Sequence, residues 1–271
     1  MIIIRHQTAD GQPAYAQHKD DQYFAIVGDI LGDFTVTANE VQVDKLLAPI
    51  VPTSIFCIGL NYRKHAAESG ATEPAQPILF MKGLNTLQNP GDPILLPTHL
   101  KSDEVDYECE LAVVIGRGPG GKSCKNVARD EALSYVLGYT AANDVSARDW
   151  QIKRGGSQWC RGKTFDTFLP LGPALVTPAS IPNPNALRIQ TLVNGEALQD
   201  WNTDDMIFDV PSLIEFLSGS TTLLPGTVIL TGTPHGVGMA MKPPRWLKEG
   251  DIVEIDIEGI GRLTNPVMNE A

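Results

Sequence analysis

The segment VDYECELAVVIG, residues 105 to 116, limits what this chain can fold into more than any other stretch. Leu111 to Ile115 is apolar at every position and mostly bulky, the pattern of a strand buried on both faces. Such a strand belongs inside a sheet with packed layers on either side. Side chains alternate along a strand, so Glu108 and Glu110 share one face and Cys109 points to the other. Two carboxylates side by side at the head of a buried strand repel each other and lose hydration. A proton, a cation or a metal must accompany them.

Strand signals dominate the rest of the chain. MIIIRH reads as a first strand and is too short for a secretory signal. Tyr23 to Val27 and Asp33 to Val36 follow as short strands separated by Gly, Asp and Asn. LRIQTLVNGEAL alternates and breaks at Asn194-Gly195, a strong hairpin cue. GTVILTG is a short buried run, and GDIVEIDIEGIG alternates apolar and acidic residues as a strand with one wet face does. Helices are fewer. DVPSLIEFLSG places Pro211 in a first turn, groups Leu213, Ile214 and Leu217 on one face, and stops at Gly219. NYRKHAAESG forms a short helix ended by Gly70. These signals predict a β-rich α+β fold, with residues 1–50 as a small N-terminal domain and residues 51–271 as the main one.

Composition bounds the partners. No apolar run approaches the roughly 20 residues of a membrane span. A formal net charge of −11 argues against nucleic acid, since a phosphate backbone requires a basic face. It also means that an anionic substrate needs a locally built positive site. Cys57, Cys109, Cys124 and Cys160 show no CxxC pairing, which fits reduced thiols in a cytoplasm.

Several residues carry candidate chemistry. Asp144, in GYTAANDVSARDWQ, follows the apolar segment Tyr135 to Ala142 and precedes a polar turn. If it converges with Glu108 and Glu110, the three form a hard-oxygen site suited to Mg²⁺, Mn²⁺ or Ca²⁺ and unsuited to structural zinc. Spacing alone fits a turn acid equally well. On a helix, His65 and Glu68 stand three apart on one face, so the carboxylate can orient the imidazole as a general base; a surface pair is the plainer reading. Lys163, in RGKTFDTF, points either into a cleft or into solvent. GTVILTGTPHGVG ends in a glycine-rich loop whose N–H groups can approach an anion, without a GK[ST] or GxGxxG signature.

NYRKHAAE, DYECEL, NDVSARDWQ, GKTFDTFLPLGP, LVNGEALQ and ILTGTPHGVG occur in the order and at the approximate spacing of the fumarylacetoacetate hydrolase family. The resemblance runs from about Phe56 to Val267 and is closest to the short members acting on acylpyruvates and related 2-oxo acids. It implies a mixed β-sandwich roll around a divalent metal, Mg²⁺, Mn²⁺ or Ca²⁺, in a homodimer. It places the metal ligands on Glu108, Glu110 and Asp144, the dyad of a mobile lid on His65 and Glu68, and the active-site lysine on Lys163. Substrate contacts fall on Thr233 and Gln151. After Phe80-Met81-Lys82 many relatives continue with Pro or Ser, whereas this chain has GLNTLQ, a departure expected to border the pocket.

The reaction implied is metal-dependent hydrolysis of a carbon–carbon bond in a 2,4-dioxo acid of the acylpyruvate or fumarylpyruvate type. The ion would chelate the 2-oxo acid end, Lys163 would add positive charge, and His65, held by Glu68, would activate water. A decarboxylase of oxaloacetate-like acids, or an isomerase or hydratase of a related enol acid, uses the same groups. The remaining alternative is a non-catalytic metal-binding protein. The expected partner is a small anionic 2-oxo acid, with no nucleic acid and no membrane.

Overall fold

A computed structural model describes all residues from Met1 to Ala271. A long mixed sheet of twelve strands runs through the molecule. Its centre is the strand Cys109–Ile115, flanked by Val136–Asn143 on one side and Thr227–Leu230 on the other. Thr227–Leu230 pairs in parallel with Ser54–Gly59, which in turn carries the edge strand Ile78–Met81. A second sheet of five strands contains the Asn194-Gly195 hairpin and the alternating strand Ile252–Ile257. Asn194 and Gly195 both take positive φ, 54° and 81°, as a two-residue turn matched to sheet twist requires.

The central strand is buried on both faces, and its two faces enter different cores. Leu111, Val113 and Ile115 join a large core that includes Ile189, Val253, Ile255 and Ile257 of the second sheet. Ala112 and Val114 join a separate core with Ile55, Cys57, Leu169, Leu171, Val228 and Leu230. Glu108 and Glu110 have the parity of Ala112 and Val114, so they lie at the end of this second core. The sequence signals predict this β-rich α+β content, and the family resemblance implies its mixed sheets.

Helices are short. Val210–Ser218 has Asp209 as its N-cap, accepting from the Ser212 N–H, and buries Leu213, Ile214 and Leu217. Arg63–Glu68 forms the predicted helix around His65. The strands of the first 50 residues continue the long sheet at one end, joined where Ile2 and Ile3 face Val176 and Leu175. No helix is long and apolar enough to cross a membrane.

Candidate active site

Glu108, Glu110 and Asp144 come together with their ligand oxygens within 4.8 Å of one another, all three buried. The backbone makes this convergence. The Asp144 N–H donates to the Glu108 carbonyl at 2.9 Å, where the strand Val136–Asn143 ends beside the head of the central strand. Asn143 tightens the corner, its Oδ1 accepting from the Glu108 N–H at 3.0 Å. Asp144 therefore belongs to the buried carboxylate cluster, and the turn-acid alternative does not describe it.

Three buried cations accompany these acids. The Lys163 ammonium lies 2.6 Å from Glu108 Oε2 and 2.8 Å from Asp144 Oδ2. Lys82 donates to the other oxygen of Asp144 at 2.6 Å and to the Val145 carbonyl at 3.1 Å. Arg148 lies 2.7 Å from Glu108 Oε1 and 2.9 Å from Asp106 Oδ2. Asp106 also accepts from the backbone N–H groups of Gly238 and Met239, which ties the Arg148 guanidinium to the loop after the strand Thr227–Leu230.

These contacts set the protonation of the site. Burial pushes the Glu108 carboxyl up, but the charges of Lys163 and Arg148 outweigh it and hold the group down at about 2. Burial pulls Lys163 down, and the Asp144 and Glu108 carboxylates more than reverse that, so it stays charged. Glu110 differs. It accepts a 2.6 Å hydrogen bond from the Gly232 N–H and has no cationic side chain within ion-pair distance. Burial, and then the charges of Asp144 and Glu108, push its carboxyl well up.

The residues present fit a divalent cation. The donor set is three carboxylates, the hard oxygens that Mg²⁺ and Mn²⁺ prefer. Counting Asp106, four buried acids face three buried cations, and the acid left without a cation is Glu110. Although both oxygens of Asp144 accept from lysines, each carboxylate oxygen has a second lone pair.

Beside the carboxylates lies a cavity of about 170 Å³. Glu108, Glu110, Lys163, His65, Gln151 and Thr233 all line it. Glu68 stands behind His65, its Oε1 2.8 Å from Nδ1, and its carboxylate accepts from the Gly236 N–H at 3.1 Å. With Nδ1 taken, Nε2 is the imidazole nitrogen left for the cavity. Gln151 accepts from Arg148 at 3.0 Å, and the Thr233 hydroxyl accepts from Gln199 at 2.8 Å. Asn61 anchors the start of the His65 helix, donating to the carbonyls of Thr231 and Phe208. Two glycines permit the close approaches. A Cβ on Gly162 would lie 2.5 Å from the Gln151 nitrogen and 2.7 Å from the Ala147 carbonyl, so only glycine lets the Lys163 helix pack this tightly. Gly232, which donates to Glu110, has φ +97°.

Lys82, Arg148 and Asp106 were not singled out from sequence as site residues. Asp106 was recoverable, because Asp106, Glu108 and Glu110 continue one period-2 series. Lys82 and Arg148 carry no local signal of burial. One expectation is corrected. The GLNTLQ segment after Lys82 does not line the cavity; Phe80 does, together with Trp159 and Ile152 from the segment before Lys163.

Comparison with known proteins shows the family of this chain. Residues 54–268 match the model of the fumarylacetoacetate hydrolase C-terminal domain. The mitochondrial oxaloacetate tautomerase of Xenopus laevis is 50% identical over 225 residues, covering 83% of this chain and 68% of that protein. Among solved structures, the 5-carboxymethyl-2-hydroxymuconate delta-isomerase of Mycobacterium smegmatis is 39% identical with a TM-score of 0.86 and full coverage of both chains. The fumarylacetoacetate hydrolase of Exiguobacterium antarcticum is 33% identical with a TM-score of 0.87, again over the whole of both chains. With its buried carboxylate trio, its cavity-facing imidazole and four-fifths of its length matched to the family model, this chain belongs to the fumarylacetoacetate hydrolase family of enzymes.

Proposed function

We propose that this chain interconverts the keto and enol forms of a short 2-oxo diacid of the oxaloacetate type. Glu108, Glu110 and Asp144 would hold a divalent ion, Mg²⁺ or Mn²⁺. When bound, that ion supplies a Lewis acid for the carboxylate and 2-oxo oxygen of the substrate. Lys163 adds positive charge at the same end, which lets an acidic protein accept an anion. Arg148, held by Asp106 and Glu108, keeps the Gln151 side chain in place at the cavity wall. Glu68 fixes the imidazole through Nδ1, so His65 takes a proton from the substrate's third carbon at Nε2 and returns it at the 2-oxo oxygen. The proton count closes without a water molecule.

The observation that carries this choice is a single imidazole base facing a small cavity whose remaining wall is largely apolar. A proton shift needs only that base, whereas hydrolysis needs the base and an oriented water. The names of the Xenopus and Mycobacterium relatives, a tautomerase and an isomerase, support the same choice. Carbon–carbon bond hydrolysis of an acylpyruvate is the second reading, favoured by the Exiguobacterium relative. Four free cysteines fit a reducing compartment, cytoplasmic or organellar.

The test follows enol-oxaloacetate by its ultraviolet absorbance with the purified chain, Mg²⁺ and, in parallel, chelator. Pyruvate release from oxaloacetate and loss of an acylpyruvate are measured alongside. Metal-dependent decay of the enol signal above buffer, without pyruvate release, is expected. Cleavage of the acylpyruvate with no acceleration of tautomerisation would reverse the choice.

A further inference from the structure

Part of the cavity wall is built from one aromatic ring set on bare backbone. Trp159 is half-buried, four residues before Lys163, on the turn that leads into the short helix Cys160–Lys163. A Cβ placed on Gly59 would lie 2.2 Å from Cζ3 of the indole and 2.8 Å from Cη2. The ring therefore rests directly on the main chain at the end of the strand Ser54–Gly59. Gly59 does not have a positive φ, so its backbone would accept a side chain; only the ring excludes one. Phe80 meets the indole edge-on, with centroids 5.5 Å apart and planes at 67°. Trp159, Phe80 and Gly59 all line the cavity, and the Phe80 ring also borders the Lys163 ammonium, 5.1 Å from its centroid.

We propose that Trp159, seated on Gly59 and Phe80, is the specificity-determining wall that restricts the site to short 2-oxo acids. The inference rests on the reading that the 2-oxo acid end binds at Glu108, Glu110, Asp144 and Lys163. Phe80 borders the Lys163 ammonium on one side and the indole on the other, so a substrate whose acid end lies at Lys163 extends along Phe80 toward the indole. Aromatic rings packed on backbone and on each other yield little, because every neighbour is already in contact. Longer or branched acyl groups would meet that wall sooner than a four-carbon diacid does. The same segment thus delivers the charge that attracts the acid end and the ring that measures the other end. This also explains how the GLNTLQ departure can leave the cavity untouched.

The experiment uses the full chain in Mg²⁺ and a series of chelating 2-oxo acid mimics: oxamate, N-methyl-, N-propyl- and N-benzyloxamate. Affinities come from calorimetry, so turnover is not the readout. In the wild-type chain, affinity should fall as the substituent grows. In Trp159→Ala, the ratio of N-benzyloxamate affinity to oxamate affinity should rise by about tenfold or more, the lower range for apolar size discrimination. Trp159→Phe should admit the propyl group and still exclude the benzyl group. Gly59→Ala leaves Trp159 in place but must displace its ring, so it should change the ratio several-fold. In a Trp159→Ala background, where no ring is left to displace, the same Gly59→Ala change should alter the ratio less than it does in the wild type. Should Trp159→Ala not fold, Trp159→Phe and Gly59→Ala carry the test. Oxamate binding with the same size dependence in the wild type and in the folded variants would overturn this proposal alone. Failure of the wild-type chain to bind oxamate at all would overturn the 2-oxo acid reading and the proposal with it.

Discussion

Replacing Lys163 by Met removes an ammonium from the centre of the site while keeping much of the side chain's apolar length. In the structure that ammonium touches Glu108 at 2.6 Å and Asp144 at 2.8 Å, with all three groups buried. The cost can be bounded in two ways. The Glu108 carboxyl is held at about 2 against an ordinary 4.5, which at about 1.36 kcal/mol per pH unit amounts to about 3 kcal/mol. Burial opposes that displacement, and among the charges that produce it Lys163 is the largest. Independently, removing one partner of a buried ion pair costs about 3–5 kcal/mol, because the other charge is left stranded. At about 2 °C per kcal/mol for a chain of this size, the metal-free variant should melt about 6–10 °C below the wild type at neutral pH. The folded pKa of Glu108 lies below its unfolded one. Its contribution is therefore complete above about pH 4.5 and lost as pH falls toward about 2, and the gap between variant and wild type should narrow through that window. Saturating Mg²⁺ should raise the melting temperature of the variant more than that of the wild type, since the ion replaces the missing charge. Thermal unfolding followed by circular dichroism, in chelator and in Mg²⁺, reads all three effects. A metal-free variant melting within about 2 °C of the wild type would refute the argument that Lys163 balances these carboxylates.

Four further outcomes are expected. Glu108→Ala and Asp144→Ala should each abolish turnover and weaken Mg²⁺ binding by calorimetry; unchanged metal affinity in both would remove them as ligands. Glu68→Ala should keep metal affinity and lower turnover by about 10²–10⁴-fold, the usual range for a lost general base, and oxalate with Mg²⁺ should slow hydrogen exchange across Asn61 to Gly70. Because burial and its neighbours raise the Glu110 carboxyl, and an ion binds the carboxylate form, Mg²⁺ affinity should climb with pH through that raised range and release protons there; calorimetry in buffers of different ionisation enthalpy counts them, and zero release at every pH would contradict a raised Glu110 carboxyl. The edge strand Ile78–Met81 leaves Leu79 and Met81 exposed at 46% and 43%, so light scattering should find a dimer, and a monomer at all concentrations would exclude the one the family resemblance implies.

Much of this protein is legible in its local sequence. The run of five apolar residues after Glu110 has the pattern of a strand between two layers, and two cores do meet on its opposite faces. The alternation of Asp106, Glu108 and Glu110, the Asn194-Gly195 turn and the Asp209-capped helix are likewise set by periods and conformational preferences within a few residues. Tertiary structure decided what those local rules do not reach. Lys82 meets Asp144 across 62 residues of chain, and Lys163 meets Glu108 across 55. Neither lysine differs locally from one that points into solvent. The strand Ser54–Gly59 finds Thr227–Leu230 in parallel only through a long crossover, and that pairing carries Gly59 to the cavity. The cavity wall shows the same division, for the segment beside Lys82 in sequence stays outside while Trp159 closes the space on Gly59. Period and propensity act over a turn or a strand. The balance of buried charge and the shape of a pocket arise only when distant segments exclude water from one another.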